Sequence, residues 1–127
     1  MRLVCVTQRW WDKYAEICEH RKVPLSWFTK TALFVAEGEE LVAGVLIYDT
    51  TGPYLFFEHL VTNETATLRQ RHKAVKMMAE QVVPYCRTVG KYPMIMVRHK
   101  GITAVLKGIG MVSAQASGMT YPMEKLS

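Results

Sequence analysis

Residues 31–61 read TALFVAEGEELVAGVLIYDTTGPYLFFEHLV, and the way this stretch divides decides the fold. It holds three strand-like runs, Thr31 to Glu37, Leu41 to Tyr48 and Tyr54 to Val61, each rich in aliphatic or aromatic residues. The joins are turn chemistry. Glu37-Gly38-Glu39-Glu40 is a short polar hairpin connection, and Thr50-Thr51-Gly52-Pro53 supplies a Gly and a Pro that reverse the chain. An antiparallel meander is therefore expected. The consecutive apolar positions from Leu41 to Ile47 require a strand covered on both faces, so helices are expected on both sides of the sheet.

On the N-terminal side, Arg2 to Thr7 suits a short strand. Trp10 to His20 carries Trp10, Tyr14, Ile17 and Cys18 at helical spacing, closed by Arg21, Lys22 and Pro24. On the C-terminal side stands the strongest helix. Leu68, Val75, Met78, Ala79 and Val82 form its stripe, with Arg69, Lys73, Lys76 and Glu80 largely off it. Thr67 and Gln70 make a capping box that places the first turn at Arg69 to Arg71, and Pro84 is expected to end or kink the helix at Val83. A buried strand over Tyr92 to Val97, a short helix over Gly101 to Ile109 and a last strand over Met111 to Met123, broken near Gly118, complete the order. The expectation is one α+β domain over residues 1–127, with a mixed, mainly antiparallel central sheet.

The chain has 127 residues, 50% hydrophobic and 21% charged, which fits a single core and no long disordered stretch. Cys5, Cys18 and Cys86 are an odd number at wide spacing, and His20, His59, His72 and His99 show no metal-ligand spacing. No apolar run approaches the roughly 18–20 residues of a membrane span, and the start of the chain is interrupted too early by polar residues for a signal peptide. A cytoplasmic protein with no membrane partner is expected. Charge is divided unevenly: residues 1–67 hold 6 Lys/Arg against 9 Asp/Glu, whereas residues 68–127 hold 10 Lys/Arg against Glu80 and Glu124. The second half is the anion-seeking half, suited to a nucleotide cofactor or simply to a solvated face.

With this order of elements, two stretches resemble the GCN5-related N-acetyltransferase (GNAT) family. The first is Glu58-His59-Leu60-Val61, the loop from Thr62 to Thr67, and Arg69-Gln70-Arg71-His72-Lys73-Ala74, which is similar to the family's middle strand and its Arg/Gln-x-x-Gly-x-Gly/Ala motif. The second, Ile102 to Met111, resembles the short helix leading into the last strand pair. The resemblance spans about Thr31 to Met123 and implies acetyl-CoA as cofactor and an amine as acceptor. It implies that Leu60, Val61 and Thr62 offer backbone hydrogen bonds to the pantetheine arm, and that Arg69, Gln70, Arg71, His72, Lys73 and Ala74 cradle the diphosphate. A helix start with unpaired N–H groups and added cations is chemically suited to that anion, the dipole alone contributing only about 0.3–1 kcal/mol.

Glu58 is the candidate base, a carboxylate alone in an apolar strand and suited to proton abstraction, or else paired with His59 or an Arg at the sheet end. His59 is expected on the opposite face. The chain departs from the family pattern at two places: His72 stands where the motif has glycine, and Leu106 where a tyrosine often serves as general acid, which leaves Tyr121 as the candidate acid. Trp10, Trp11, Trp27 and Phe28 either floor an acceptor pocket or fill the core. Two alternatives stay open. One is a GNAT-fold protein that has lost its chemistry and serves as a homo-oligomeric or partner-bound assembly module, for instance in a phage virion. The other, ranked below both, is a nucleic-acid binder using the basic half, including Arg87, Lys91, Arg98, Lys100 and Lys107, with no recognisable nucleic-acid motif behind it.

Overall fold

The computed structural model describes residues 1–24, 31–95 and 100–108. The expected last strand over Met111 to Met123, with Tyr121, lies outside them, as do Trp27, Phe28, Met96, Val97, Arg98, His99 and Ile109. The elements are β1 (Arg2–Val4), α1 (Gln8–His20), β2 (Thr31–Glu37), β3 (Glu40–Asp49), β4 (Tyr54–Thr62), α2 (Leu68–Val89), β5 (Tyr92–Ile95) and α3 (Lys100–Gly108). The strands form one sheet in the order β1-β2-β3-β4-β5, antiparallel as far as β4, with β5 added parallel to β4. This is the α+β architecture with a mixed, mainly antiparallel sheet that the sequence predicts.

Side chains alternate across the meander, and each face meets its own helix layer. On one face Trp10, Tyr14 and Cys18 of α1 pack on Phe34, Leu46 and Val61. On the other, Val75, Met78, Ala79 and Val82 of α2 and Leu106 of α3 pack on Val35, Val45, Ile47, Leu55 and Phe57. Burying each large aliphatic side chain here contributes about 1.5–3 kcal/mol. Trp10 therefore belongs to the core, while Trp11 is only half-buried at its margin.

The β2–β3 turn closes with Glu37 opposite Glu40, and Gly38 takes a positive φ of 58° that a two-residue hairpin needs at its first position. The Thr67–Gln70 capping box forms, with Gln70 N–H donating to Thr67 Oγ1 at 3.1 Å and Thr67 N–H donating to Gln70 Oε1 at 2.9 Å. Helix α2 then runs through Pro84 instead of ending there. Pro84 and Glu80 are both exposed, so the Glu80 carbonyl that loses its donor can meet water, while the added turn buries Cys86 in the core. Gly90, at φ 70°, ends the helix, with Lys91 N–H donating to Cys86 O at 3.0 Å. A second correction concerns β5. The apolar run predicts a buried strand, but Tyr92 is 69% exposed and Pro93 to Ile95 are half-buried, as suits a strand paired on one side only among the described residues.

Gly44 in the middle of β3 is fixed by close packing. A Cβ placed there would lie 2.5 Å from Tyr14 Cδ1 and 2.9 Å from Phe34 Cδ1, and both rings are fully buried. Gly44→Ala is therefore expected to destabilise the fold by about 1–3 kcal/mol, as overpacking does. Urea denaturation monitored by tryptophan fluorescence measures it; an unchanged midpoint would show that the Tyr14 ring can move aside freely.

Candidate functional site

The register of β3 against β4 slips once. Leu46 faces Glu58 and Gly44 faces Val61, which leaves Val45 alone opposite both His59 and Leu60. One extra residue in β4 makes a β-bulge, and His59 adopts a left-handed φ of 54°. Histidine is among the side chains that tolerate this conformation best. The bulge interrupts the two-residue period, so that Glu58 and Val61, three residues apart, lie on the same face of the sheet.

The bulge is held from α1. The Tyr14 hydroxyl donates to the His59 carbonyl oxygen at 2.6 Å, and the Tyr14 side chain is wholly buried. Burial pushes its pKa far above the ordinary phenol range, so the hydroxyl stays a donor. Burial likewise pushes the neighbouring Cys18 thiol up to about 11. The Tyr14 ring can reach the bulge because it lies over the bare backbone of Gly44. Gly44, Tyr14 and His59 form one contact chain from sheet to helix and back to sheet.

The loop between β4 and α2 is closed on itself. Asn63 N–H donates to Val42 O at 2.8 Å and its side-chain amide donates to Leu41 O at 2.9 Å, while Asn63 Oδ1 accepts from Thr65 N–H at 3.0 Å. Arg71 reaches back to donate to Ala66 O at 3.0 Å and Glu64 O at 2.7 Å. Glu64 is bound to Arg21 at 2.9 Å and His20 at 2.7 Å, both at the end of α1. Arg21 also donates to Thr62 O at 3.1 Å and Thr62 Oγ1 at 3.2 Å.

This geometry revises the expected diphosphate cradle. The Thr67 cap starts the helix at Leu68, so Arg69 to Ala74 are wound into its first two turns. Arg71 N–H donates to Thr67 O at 3.0 Å, and the amides after it lie in the helical ladder. Gln70 belongs to the cap, Arg71 to the loop, and Ala74 to the core. His72 is half-buried in the second turn, where glycine is not needed for close backbone approach. What the chain offers an anion is the amides of Leu68 and Arg69, which have no partner among the described residues, and the exposed side chains of Arg69 and Lys73 on one helix face.

Glu58 is half-buried and directly opposite Leu46, so it shares the α1 face of the sheet. Its carboxylate has no hydrogen-bond or ion-pair partner among the described residues, and the expected alternative of a pair with His59 or an Arg is not found among them. Beside it the parallel pairing of β4 with β5 runs from Tyr54↔Tyr92 to Phe57↔Ile95, and no described residue pairs with His59 to Thr62 on that side. Leu60 packs toward α2 and Val61 toward α1, so their side chains are committed to the core layers and only their backbone is on offer. Leu106 is buried in the α2–α3 layer. No helix among the described residues is long and apolar enough to cross a membrane, and no cluster of three or more His, Cys, Asp or Glu among them suits a metal ion. A groove of about 410 Å³ at the far end of α2 is lined by Val83, Cys86, Tyr92 and Pro93 together with Arg87 and Lys91 of the basic half, and holds none of the residues expected to bind acetyl-CoA.

Sequence reasoning missed Tyr14 and Gly44 as site-shaping residues. The signal for them was Gly44 itself, an isolated glycine inside an apolar strand, which marks a close approach or a bulge. Tyr14→Phe keeps the ring and removes the donor, leaving the His59 carbonyl without its partner. A loss of about 1–3 kcal/mol is expected in urea denaturation, with faster amide exchange concentrated at His59 to Val61. Uniform exchange across the sheet would show that the hydroxyl does not hold the bulge.

No protein-family model matches the chain, and no curated protein does. Among solved structures, the chain is similar to two crystal structures of TTHA1254 from Thermus thermophilus. A point mutant superimposes with a TM-score of 0.68 at 17% identity over 89% of this chain and 90% of that one. The wild type gives 0.67 at 18% identity over 88% and 89%. At this level of identity the likeness is one of fold.

Proposed function

We propose that the protein is a cytoplasmic N-acetyltransferase of GNAT type that moves an acetyl group from acetyl-CoA to an amine. The observation that carries this reading is the bulge at His59 and Leu60 with, at its margin, the Glu58 carboxylate that has no partner among the described residues. A bulge bends its strand and breaks the hydrogen-bond ladder, which favours an extended ligand lying along the β4 backbone. The amides of Leu68 and Arg69, without a partner among the described residues, suit a diphosphate at the start of α2 together with the Arg69 and Lys73 side chains. These contacts involve fewer residues than the six-residue cradle that the motif implies, and they rest on the helix start.

Acetyl-CoA supplies an activated thioester, in which the amine nitrogen forms the new C–N bond as the C–S bond breaks and the thiol leaves. Glu58 has the role of accepting the proton that the acceptor ammonium must lose before its lone pair is available. The Tyr14 hydrogen bond holds β4 and thereby fixes Glu58 relative to the backbone beside it. Tyr121 keeps its role as candidate acid for the departing thiolate. The proton taken by Glu58 passes to solvent, and the second proton, lost from nitrogen as the amide forms, balances the thiolate.

A specific observation favours the second reading. The amides of Asn63, Thr65, Ala66, Thr67, Gln70 and Arg71 all have partners within the protein, as in a loop whose purpose is rigidity. A catalytically silent assembly module would have that property. Calorimetric titration with acetyl-CoA separates the two. The acetyltransferase is expected to bind with a dissociation constant below about 1 mM and to gain thermal stability. The Arg69→Ala, Lys73→Ala double variant is expected to weaken binding roughly 10-fold or more, and Glu58→Gln to slow transfer while leaving affinity unchanged. No heat and no stabilisation at millimolar acetyl-CoA would favour the assembly module.

A further inference from the structure

We infer that the outer face of α2 binds the phosphate backbone of a nucleic-acid duplex without reading its sequence. This function is additional to the acetyltransferase reading and does not depend on it. Arg69, Lys73, Lys76, Glu80, Val83 and Arg87 follow one another at steps of three or four residues, which keep side chains on one face of a helix. All six are exposed, on the side of α2 turned away from the buried stripe of Val75, Met78, Ala79 and Val82. From Arg69 to Arg87 the row is about 27 Å long, which matches about eight base pairs of a duplex.

The state of its charges separates this row from an ordinary solvated face. Elsewhere the cations are engaged: Arg9 pairs with Glu39, Arg21 with Glu64 and Lys91 with Asp49, and Arg71 donates to loop carbonyls. Arg69, Lys73, Lys76 and Arg87 enter no ion pair or hydrogen bond among the described residues, and Glu80, four residues after Lys76, does not pair with it. Their fields add along the row, opposed within it by Glu80 alone, so a linear polyanion is the complementary partner. The row holds no aromatic ring on which bases could stack, which favours the backbone of a duplex over a single strand. Val83 is its only apolar member, too little to enter a membrane surface. Cations on long stems meet phosphates, which carry no sequence information.

The test is fluorescence anisotropy of labelled DNA and RNA duplexes of about 20 base pairs, each in two unrelated sequences, titrated with the protein between about 50 and 200 mM salt. Four phosphate contacts predict a log–log salt slope of about −3 to −4, hence a loss of affinity of roughly 100-fold over that range. The Lys76→Ala, Arg87→Ala double variant is expected to bring the slope about two closer to zero and to weaken binding about tenfold or more at the lowest salt. Acetyl-CoA affinity, assigned to Arg69 and Lys73 instead, stays unchanged in it, so loss of one function is read apart from loss of the other. The Arg2→Gln, Lys22→Gln variant removes the same charge elsewhere and is expected to keep the wild-type slope; circular dichroism checks that both variants fold. No binding of either duplex at the lowest salt, or an equal loss in both variants, would overturn the inference. So would an affinity differing more than about tenfold between the two sequences, tighter binding of a single strand of the same length, or sedimentation with phosphatidylserine vesicles without duplex binding.

Discussion

A single hydrogen bond joins α1 to the one bulge between β3 and β4: the hydroxyl of Tyr14 donates to the carbonyl of His59. Each end explains the other. A wholly buried phenol must find an acceptor, and a regular strand would leave few carbonyls unclaimed by its ladder. The bulge releases one, and the left-handed backbone at His59 is sustained because that carbonyl is satisfied. The contact also requires Gly44, since any larger residue would hold the ring off the sheet. Three residues far apart in sequence thus determine where β4 turns away from regular pairing, and where Glu58 stands.

The same end of α1 fixes the neighbouring loop. Arg21 pairs with Glu64, His20 is hydrogen-bonded to the same carboxylate, and Arg21 also binds Thr62, so the approach to the start of α2 is tied to the end of α1. Arg71 stabilises the loop from the other side by binding its carbonyls. With the capping box in place, the start of α2 is rigid before any ligand arrives. Preorganisation of this kind lowers the ordering entropy that a bound diphosphate would otherwise impose, which compensates in part for the few amides left available.

Much of the fold is legible in the sequence because its signals are local. The bounds of β2 follow from the apolar run between polar flanks, and the capping box at Thr67 and Gln70 depends on a spacing of three. Pro84 does not by itself tell an end from a bend, since the cost of a missing N–H depends on whether the freed carbonyl faces water, and only the fold decides that. The site is less legible. Glu58 can be picked out as a carboxylate in an apolar strand, but the bulge beside it arises from a cross-strand register and from a tyrosine 45 residues earlier in the chain. The capping box places Arg69 to Arg71 in the first turn of a helix, as the structure has it. Pattern alone does not report which amides remain free.

On the proposed acetyltransferase reading, the bulged β4 backbone and the first two amides of α2 receive one extended, diphosphate-bearing ligand. The most direct measurement is a two-dimensional amide NMR titration of the isotope-labelled protein with desulfo-coenzyme A. Shifts clustered at Leu60, Val61, Thr62, Leu68 and Arg69 are predicted, with α1 little affected. Unmoved resonances there at millimolar ligand, or shifts confined to the outer face of α2 around Lys76 and Arg87, would contradict it.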